Sequence, residues 1–397
     1  MPKSVYLMAL GIFAMVTSEF LVGGLMPQIS EDLGVTIPQV GYLITAFALA
    51  MALGSPFATI AVLKLKPKPA LMTLFAVFLV GNVLAGVATS YWLMMVARVI
   101  TGTASGAFFG VSLSIVAQLT KPEARGRAIG VAMQGLMVGT LLGLPISTLV
   151  GEQWGWRAGF VAVGIITLVA AVATVIAVPS LDRAEDSGDF KEELTAFRNR
   201  KLWVVMCTST LIIGATFAAF SYFTPILTEI TGFSRGITPF LLLAYGAATV
   251  IGNTVVARLA DTHTIRVLVT GITLNVAFLV AFALLADFKA PAVIAMLGIG
   301  LVGVTMNPAM ISRVQRTANA RPLINTVHSS FITMGVVIGS WIGGLGINAF
   351  DLTAPLWLGV VLASLALVML IPDMGQLRRA APSNTPAPAS ERQMESA

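Results

Sequence analysis

Residues 11–27 read GIFAMVTSEFLVGGLMP, an apolar run interrupted by one carboxylate, Glu19. The run starts at Val5 and ends at Met26, about the 20 residues that an α-helix needs to cross the hydrocarbon of a bilayer. A charge at such a depth costs ~2.5 kcal/mol or more unless it faces protein, water or a partner. Glu19 is therefore a functional candidate, and the rest of the chain is read for what makes a membrane carboxylate useful. The run is not a removable signal: it is too long for an h-region, lacks a small-residue cleavage site and carries an acid.

Composition agrees with a membrane solvent. Of 397 residues, 57% are hydrophobic and 11% charged, against roughly 25% charged in a soluble domain. The single cysteine, Cys207, sits in an apolar run, so neither a disulfide framework nor a thiol metal cluster is expected. Turn and charge clusters divide the chain into twelve apolar segments, near 5–26, 39–63, 70–89, 91–118, 127–150, 157–178, 202–227, 237–258, 265–286, 291–312, 323–347 and 354–372. The expected fold class is an all-α membrane protein of twelve transmembrane helices in two six-helix halves.

The net charge of +6 does not point to nucleic acid. Of 24 Lys and Arg, 20 fall in the termini and even-numbered loops, three in odd-numbered loops (Arg157, Arg235, Lys289) and one, Arg98, within a span. This bias is the topogenic pattern of a cell inner membrane protein with both termini in the cytoplasm, and it leaves no continuous basic face. Of 18 acidic residues, 17 are assigned to loops, span ends or the tail, and Glu19 is the exception. Residues 1–178 and 202–372 form the expected halves. Between them, 179–201 is a polar cytoplasmic linker with a short amphipathic helix near 190–197, and 373–397 is a Pro-, Ala- and Ser-rich tail expected to be disordered.

A repeat supports the division. Gly135, Gly139 and Gly143 recur 200 residues later as Gly335, Gly339 and Gly343, and Lys121-Pro122 recurs as Arg321-Pro322. Two similar halves with substrate bound between them is a transporter plan.

Glu19 lies seven residues before the end of the first span and Arg98 seven after the start of the fourth, so both sit about 10 Å below the same rim. An ion pair between them would suit a proton carrier. Deprotonated Glu19 gains from a nearby guanidinium, whereas burial favours the neutral acid. Arg98 is followed by Gly102, Gly106 and Gly110, and Gly135, Gly139 and Gly143 precede Pro145. Both glycine stripes allow close helix approach, and Pro145 removes a backbone donor and should kink its helix. Asn82, Gln134, Asn253, Asn275, Asn307 and Asn325 read mainly as hydrogen-bonding glue between helices. An apolar cavity is expected among Phe20, Tyr42, Phe217, Tyr222, Tyr245, Met306, Asn307 and His328.

These residues resemble the major facilitator superfamily, within it the twelve-span drug:proton antiporter group and its branch of arabinose-type, purine-type and chloramphenicol exporters. The resemblance runs from Tyr6 to about Pro372. It rests on Thr17-Ser18-Glu19-Phe20 with Gly24, Pro27 and Ile29, on Arg98 to Gly106, on Gly135 to Pro145 as the fifth-span antiporter motif, and on Gly155-Trp156-Arg157 with Phe160. It implies an Arg98 that assists proton transfer and a cytoplasmic gate at the loop between spans eight and nine, with Gly252, Arg258, Asp261 and Arg266. The loop between spans two and three departs from the family pattern: Gly54 is followed by Ser-Pro and then KLKPKP, with no Asp.

The resulting expectation is a secondary transporter that exports a small, largely uncharged, chloramphenicol-like compound in exchange for protons by alternating access. A sugar or purine nucleoside exporter and a passive facilitator are the alternatives. The absence of a second buried acid argues against a strongly cationic substrate. No GxxxxGK[ST] or HExxH motif occurs, so neither ATP-driven pumping nor metalloenzyme chemistry is indicated. The protein is not expected to be an enzyme, needs no cofactor or metal, and is expected to work as a monomer whose partners are protons, its substrate and the lipid bilayer.

Overall fold

The computed structural model describes residues 2–121, 125–179, 197–318 and 322–380. Twelve helices in it are long and apolar enough to cross a membrane. They are α1 (Lys3–Gly24), α2 (Ile37–Val62), α3 (Pro67–Gly86), α4 (Tyr91–Val116), α5 (Ala128–Trp154), α6 (Trp156–Ala177), α7 (Arg200–Ile230), α8 (Thr238–Ala260), α9 (His263–Leu285), α10 (Lys289–Ala318), α11 (Val327–Ala349) and α12 (Ala354–Met374). Loops are numbered by the span they follow, so loops 1, 3, 5, 7, 9 and 11 share one face and the even-numbered loops share the other with the start of α1 and the end of α12.

Span edges follow local chemistry. Thr36 and Gln39 form a reciprocal capping box that starts α2 just after Gly34, which has φ +64° and so turns the chain at a position that favours glycine. The Asn199 side chain accepts from Lys201 N and caps α7. Trp92, Trp154 and Phe350 are exposed at the odd-loop ends of their spans, where aromatic rings suit a headgroup boundary.

The packing follows the repeat. A Cβ added to Gly135 would run into the Ala9 carbonyl oxygen, one on Gly139 would come 2.8 Å from Val16, and one on Gly143 3.2 Å from the Thr17 backbone. The α5 stripe thus lies directly on α1. The α11 stripe lies on α7 in the same way, with Gly335 against Thr210 and Gly339 against Gly214. Spans α1–α6 pack mainly among themselves, as do α7–α12, and the two sets meet chiefly along α2 with α11 and α5 with α8.

Several boundaries differ from expectation. Loop 1 holds a short helix, Met26–Leu33. Spans α8 and α9 run on as one helix, Thr238–Leu285, with only His263 off helical geometry (φ −126°, ψ 36°). Span α7 is broken after Phe220 and α10 at Gly303, although hydropathy runs unbroken through both. The last helix continues past Pro372 to Ala380, into the stretch expected as tail. The amphipathic linker helix and the tail beyond 380 lie outside the described residues. Pro145 lies inside a continuous helical run, Arg125–Trp154.

Candidate functional site

The site is built where α1, α2 and α4 cross. Arg98 is fully buried. Its Nη1 donates to the Ser18 carbonyl oxygen at 2.8 Å, Nη2 to the Glu19 carbonyl oxygen at 3.2 Å and Nε to the Leu43 carbonyl oxygen at 3.4 Å. Its guanidinium carbon lies 4.2 Å from the centre of the Phe47 ring. A guanidinium presents five donors in a fixed fork, and three main-chain acceptors with an aromatic face satisfy most of that demand where water is scarce.

This geometry revises one expectation. Arg98 and Glu19 are brought together, but the guanidinium holds the main chain of α1, and no carboxylate–guanidinium bridge joins them. Among the described residues no hydrogen bond or ion pair engages the Glu19 carboxylate, which is half-buried. The residue before it is locked: Ser18 Oγ donates to Asn82 Oδ1 at 3.2 Å, and Asn82 Nδ2 donates to the Phe78 carbonyl oxygen. Asn82 is helix glue, as expected.

Glycines set the approach distances around this crossing. A Cβ on Gly102 would collide with the Phe47 carbonyl and one on Gly106 with Ser55 Oγ, so α4 lies on α2. Gly110 has nothing near it and belongs to the pattern in sequence only. Pro145 leaves the Leu141 carbonyl without its usual donor four residues on. A Cβ on Gly246 of α8 would come 2.7 Å from that oxygen, so the α5 to α8 seam closes on the freed group.

The residues expected to share one cavity are divided. Phe20 of α1 stacks with Phe217 of α7 at 6.4 Å and meets Phe220 edge-on at 5.4 Å, while Phe220 stacks on Tyr245 at 5.2 Å. Phe220 and Phe223, absent from the expected set, complete this aromatic cluster between α1, α7 and α8. Tyr222 and Tyr42 lie elsewhere, in a seam toward the odd-loop face. There Tyr222 donates to the Ser340 carbonyl oxygen at 2.7 Å, Thr45 and Ser340 share a hydrogen bond at 2.8 Å, and Asn348 donates to Tyr42 at 3.4 Å. His328 is buried against Ser209 Oγ at 2.9 Å, a bond between α11 and α7 away from the aromatic cluster. Met306 packs on Gly271, and Asn307 Oδ1 is buried without a partner.

Of the gate residues, Arg258 and Arg266 are exposed, and the Asp261 side chain lies outside the described residues. A buried Arg–Asp pair with an exposed lysine beside it, missed by the sequence reading, stands at the even-loop ends of α7, α10 and α12. Arg313 donates to Asp373 through Nε at 2.9 Å and lies 2.8 Å from it through Nη2, with Lys201 at 3.5 Å on the other carboxylate oxygen. Cutting the spans at 312 and 372 put both Arg313 and Asp373 outside the membrane. The one readable signal was the apolar spacing of Met310 and Val314 around Arg313, which gives that side of the helix to the core.

On the odd-loop face Arg157 bridges Asp32 at 2.7 Å and donates to the Ala88 carbonyl oxygen, lying 4.1 Å over Trp156. The Arg157 hydrogen bond holds the Asp32 carboxyl below its ordinary value. Glu31 and Arg235 approach at 3.6 Å across loops 1 and 7. Among the described residues, the hydrogen bonds between α1–α6 and α7–α12 are Thr45 with Ser340 and Asn348 to Tyr42 in the odd-loop half, and Asn253 to Met137 Sδ at 3.8 Å in the even-loop half.

Twelve spans in two similarly packed sets, with a half-buried carboxylate at the crossing of the first, define a multi-pass membrane transporter. The Major Facilitator Superfamily profile matches residues 8–327 and 225–395. The chain belongs to the major facilitator superfamily, and as its relatives are transporters it is not an enzyme. It is 30% identical over 393 residues to the chloramphenicol resistance protein of Streptomyces lividans, covering 97% of this chain and 99% of that one. It is 29% identical to the inner membrane transport protein YdhP of Escherichia coli (strain K12), covering 91% and 94%. A bacterial homolog of the human lysosomal transporter Spinster, in an inward-facing and occupied conformation, superposes with a TM-score of 0.75 at 15% identity, covering 94% and 96%.

Proposed function

We propose that this chain is a proton-coupled exporter that moves a small, largely uncharged compound out of the cell by alternating access, with chloramphenicol-like drugs as the first substrate class. One observation carries the reading: the Glu19 carboxylate is half-buried, free of a bonded partner and beside a guanidinium committed to the main chain. Such a carboxyl gains or loses a proton without dismantling the crossing that holds it. Phe20, which follows Glu19 in α1, packs against Phe217 and Phe220 of α7, an aromatic contact between the two sets of spans that would suit an uncharged aromatic substrate when they part. The named resistance function of the Streptomyces relative supports the same class.

The Lys and Arg bias puts the even-numbered loops and both termini in the cytoplasm of an inner-membrane protein. The odd-loop face, joined by Glu31 with Arg235 and Tyr42 with Asn348, is then the outer one. Residues 1–178 and 202–372 act as the two rocking halves, joined by 179–201, in a monomer. The glycine stripes of α5 and α11 serve as the bearing surfaces, and Arg258, Asp261 and Arg266 guard the cytoplasmic side. Everted vesicles holding a pH gradient test the coupling. Adding chloramphenicol should release protons in proportion to drug uptake, and drug movement that leaves the gradient untouched would make the protein a passive facilitator.

A further inference from the structure

A cavity among the described residues lies away from the proposed site. It is a groove of about 340 Å³ between α8, α9 and α10, lined by Gly252, Val255, Leu259, Thr270, Leu301 and Met306 among others, with Arg266 as its one charged residue. Two glycines set its floor by letting the helices approach closely. Gly252 brings α8 against the Leu301 carbonyl, and Gly271 lets the Met306 side chain pack onto α9. The groove is not part of the seam between the two sets of spans. Span α8 turns Gly246 and Asn253 toward α5, and at 3.6 residues per turn the face holding Gly252, Val255 and Leu259 lies roughly 120° round the helix.

Val255, Leu259 and Leu274 are exposed apolar side chains on membrane-spanning helices, so this face meets lipid hydrocarbon. Arg266 is exposed three residues into α9, at the even-loop rim, and among the described residues no ion pair engages it. From Arg266 to Leu274 the helix descends about 12 Å. An apolar trench capped at the membrane edge by an unpaired guanidinium is complementary to a hydrocarbon chain with an anionic headgroup above it.

We propose that this groove binds one acyl chain of an anionic phospholipid, whose phosphate pairs with Arg266. Purified full-length protein, titrated in detergent with phosphatidylglycerol and phosphatidylcholine of identical chains and read by native mass spectrometry, tests it. Wild-type protein should retain one phosphatidylglycerol with a preference of about five-fold, the ratio equivalent to about 1 kcal/mol per basic residue at a membrane surface. Arg266→Gln should bind the two lipids equally. Val255→Trp, which fills the trench from a lipid-facing position, should lose the retained lipid while keeping the wild-type melting temperature. Arg258→Gln, a neighbouring exposed arginine outside the groove, should keep the preference. Equal binding by wild type, an unchanged preference in Arg266→Gln, or an equal loss in Arg258→Gln would each overturn the assignment.

Discussion

Arg98 and Glu19 divide two tasks that a simple ion pair would have merged. The guanidinium fixes α1 to α4 and α2 through carbonyl oxygens, so removing it loosens the crossing whatever the state of the acid. Arg98→Ala should lower stability by on the order of 3 kcal/mol, since hydrogen bonds to charged groups contribute ~1.5–3 kcal/mol each and are not additive. The midpoint of thermal unfolding in detergent reads this. Glu19→Gln keeps the carbonyls that Arg98 uses, so it should insert and melt like wild type yet lose proton release on drug addition; retained coupling would remove Glu19 from the mechanism. The exposed bridge from Asp32 to Arg157 gives a pH signature. The folded-state pKa of Asp32 is depressed, so its contribution is present above the unfolded value and is lost as pH falls through the folded one. Asp32→Asn should therefore lower the melting temperature at pH 7, and the difference from wild type should shrink as the pH falls below the ordinary aspartate value toward the depressed folded one. That Arg98 and Glu19 would lie at one depth was legible from their equal distances to span ends. Which acceptor the guanidinium takes was not, because main-chain oxygens are present at every residue and leave no trace in the sequence.

At the scale of the helix, the glycine stripes were readable as close contacts, and the structure adds which neighbour each one touches. Gly135 abuts the Ala9 carbonyl and Gly335 that of Thr210, whereas Gly110 is open. Gly135→Ala and Gly335→Ala should each cost about 1–3 kcal/mol through overpacking. Gly110→Ala should be neutral or stabilising by up to ~1 kcal/mol from helix propensity alone, and thermal melts of the three variants check the contrast. The twelve spans were legible because hydropathy averages over about 20 residues. The same averaging hid the breaks after Phe220 and at Gly303, which remove few helical hydrogen bonds and no apolar character. It also hid Arg313 with Asp373, whose charges sit at span ends where a window blends them with loops.

For the whole molecule, the contacts at the odd-loop face suggest a direct test of alternation. Thr45 and Ser340 carry short side chains whose hydroxyls meet at 2.8 Å, close enough for a disulfide after modest adjustment. In a Cys207→Ser background, oxidised Thr45→Cys with Ser340→Cys should stop transport, and reduction should restore it; uninterrupted drug movement through the cross-linked protein would show that this seam need not part. The two sets of spans are alike in backbone and unlike in charge. When α5 on α1 is matched with α11 on α7, Gly135 on Ala9 corresponds to Gly335 on Thr210, which sets Phe220 opposite Glu19 in register. One set carries the acid and its counterpart carries an aromatic ring. On the proposed mechanism, with Glu19 as the exchanging carboxyl, that position carries at most one proton per turnover. Expelling an uncharged cargo would then be electrogenic, and 100 mV would contribute about 2.3 kcal/mol, roughly a fifty-fold concentration ratio.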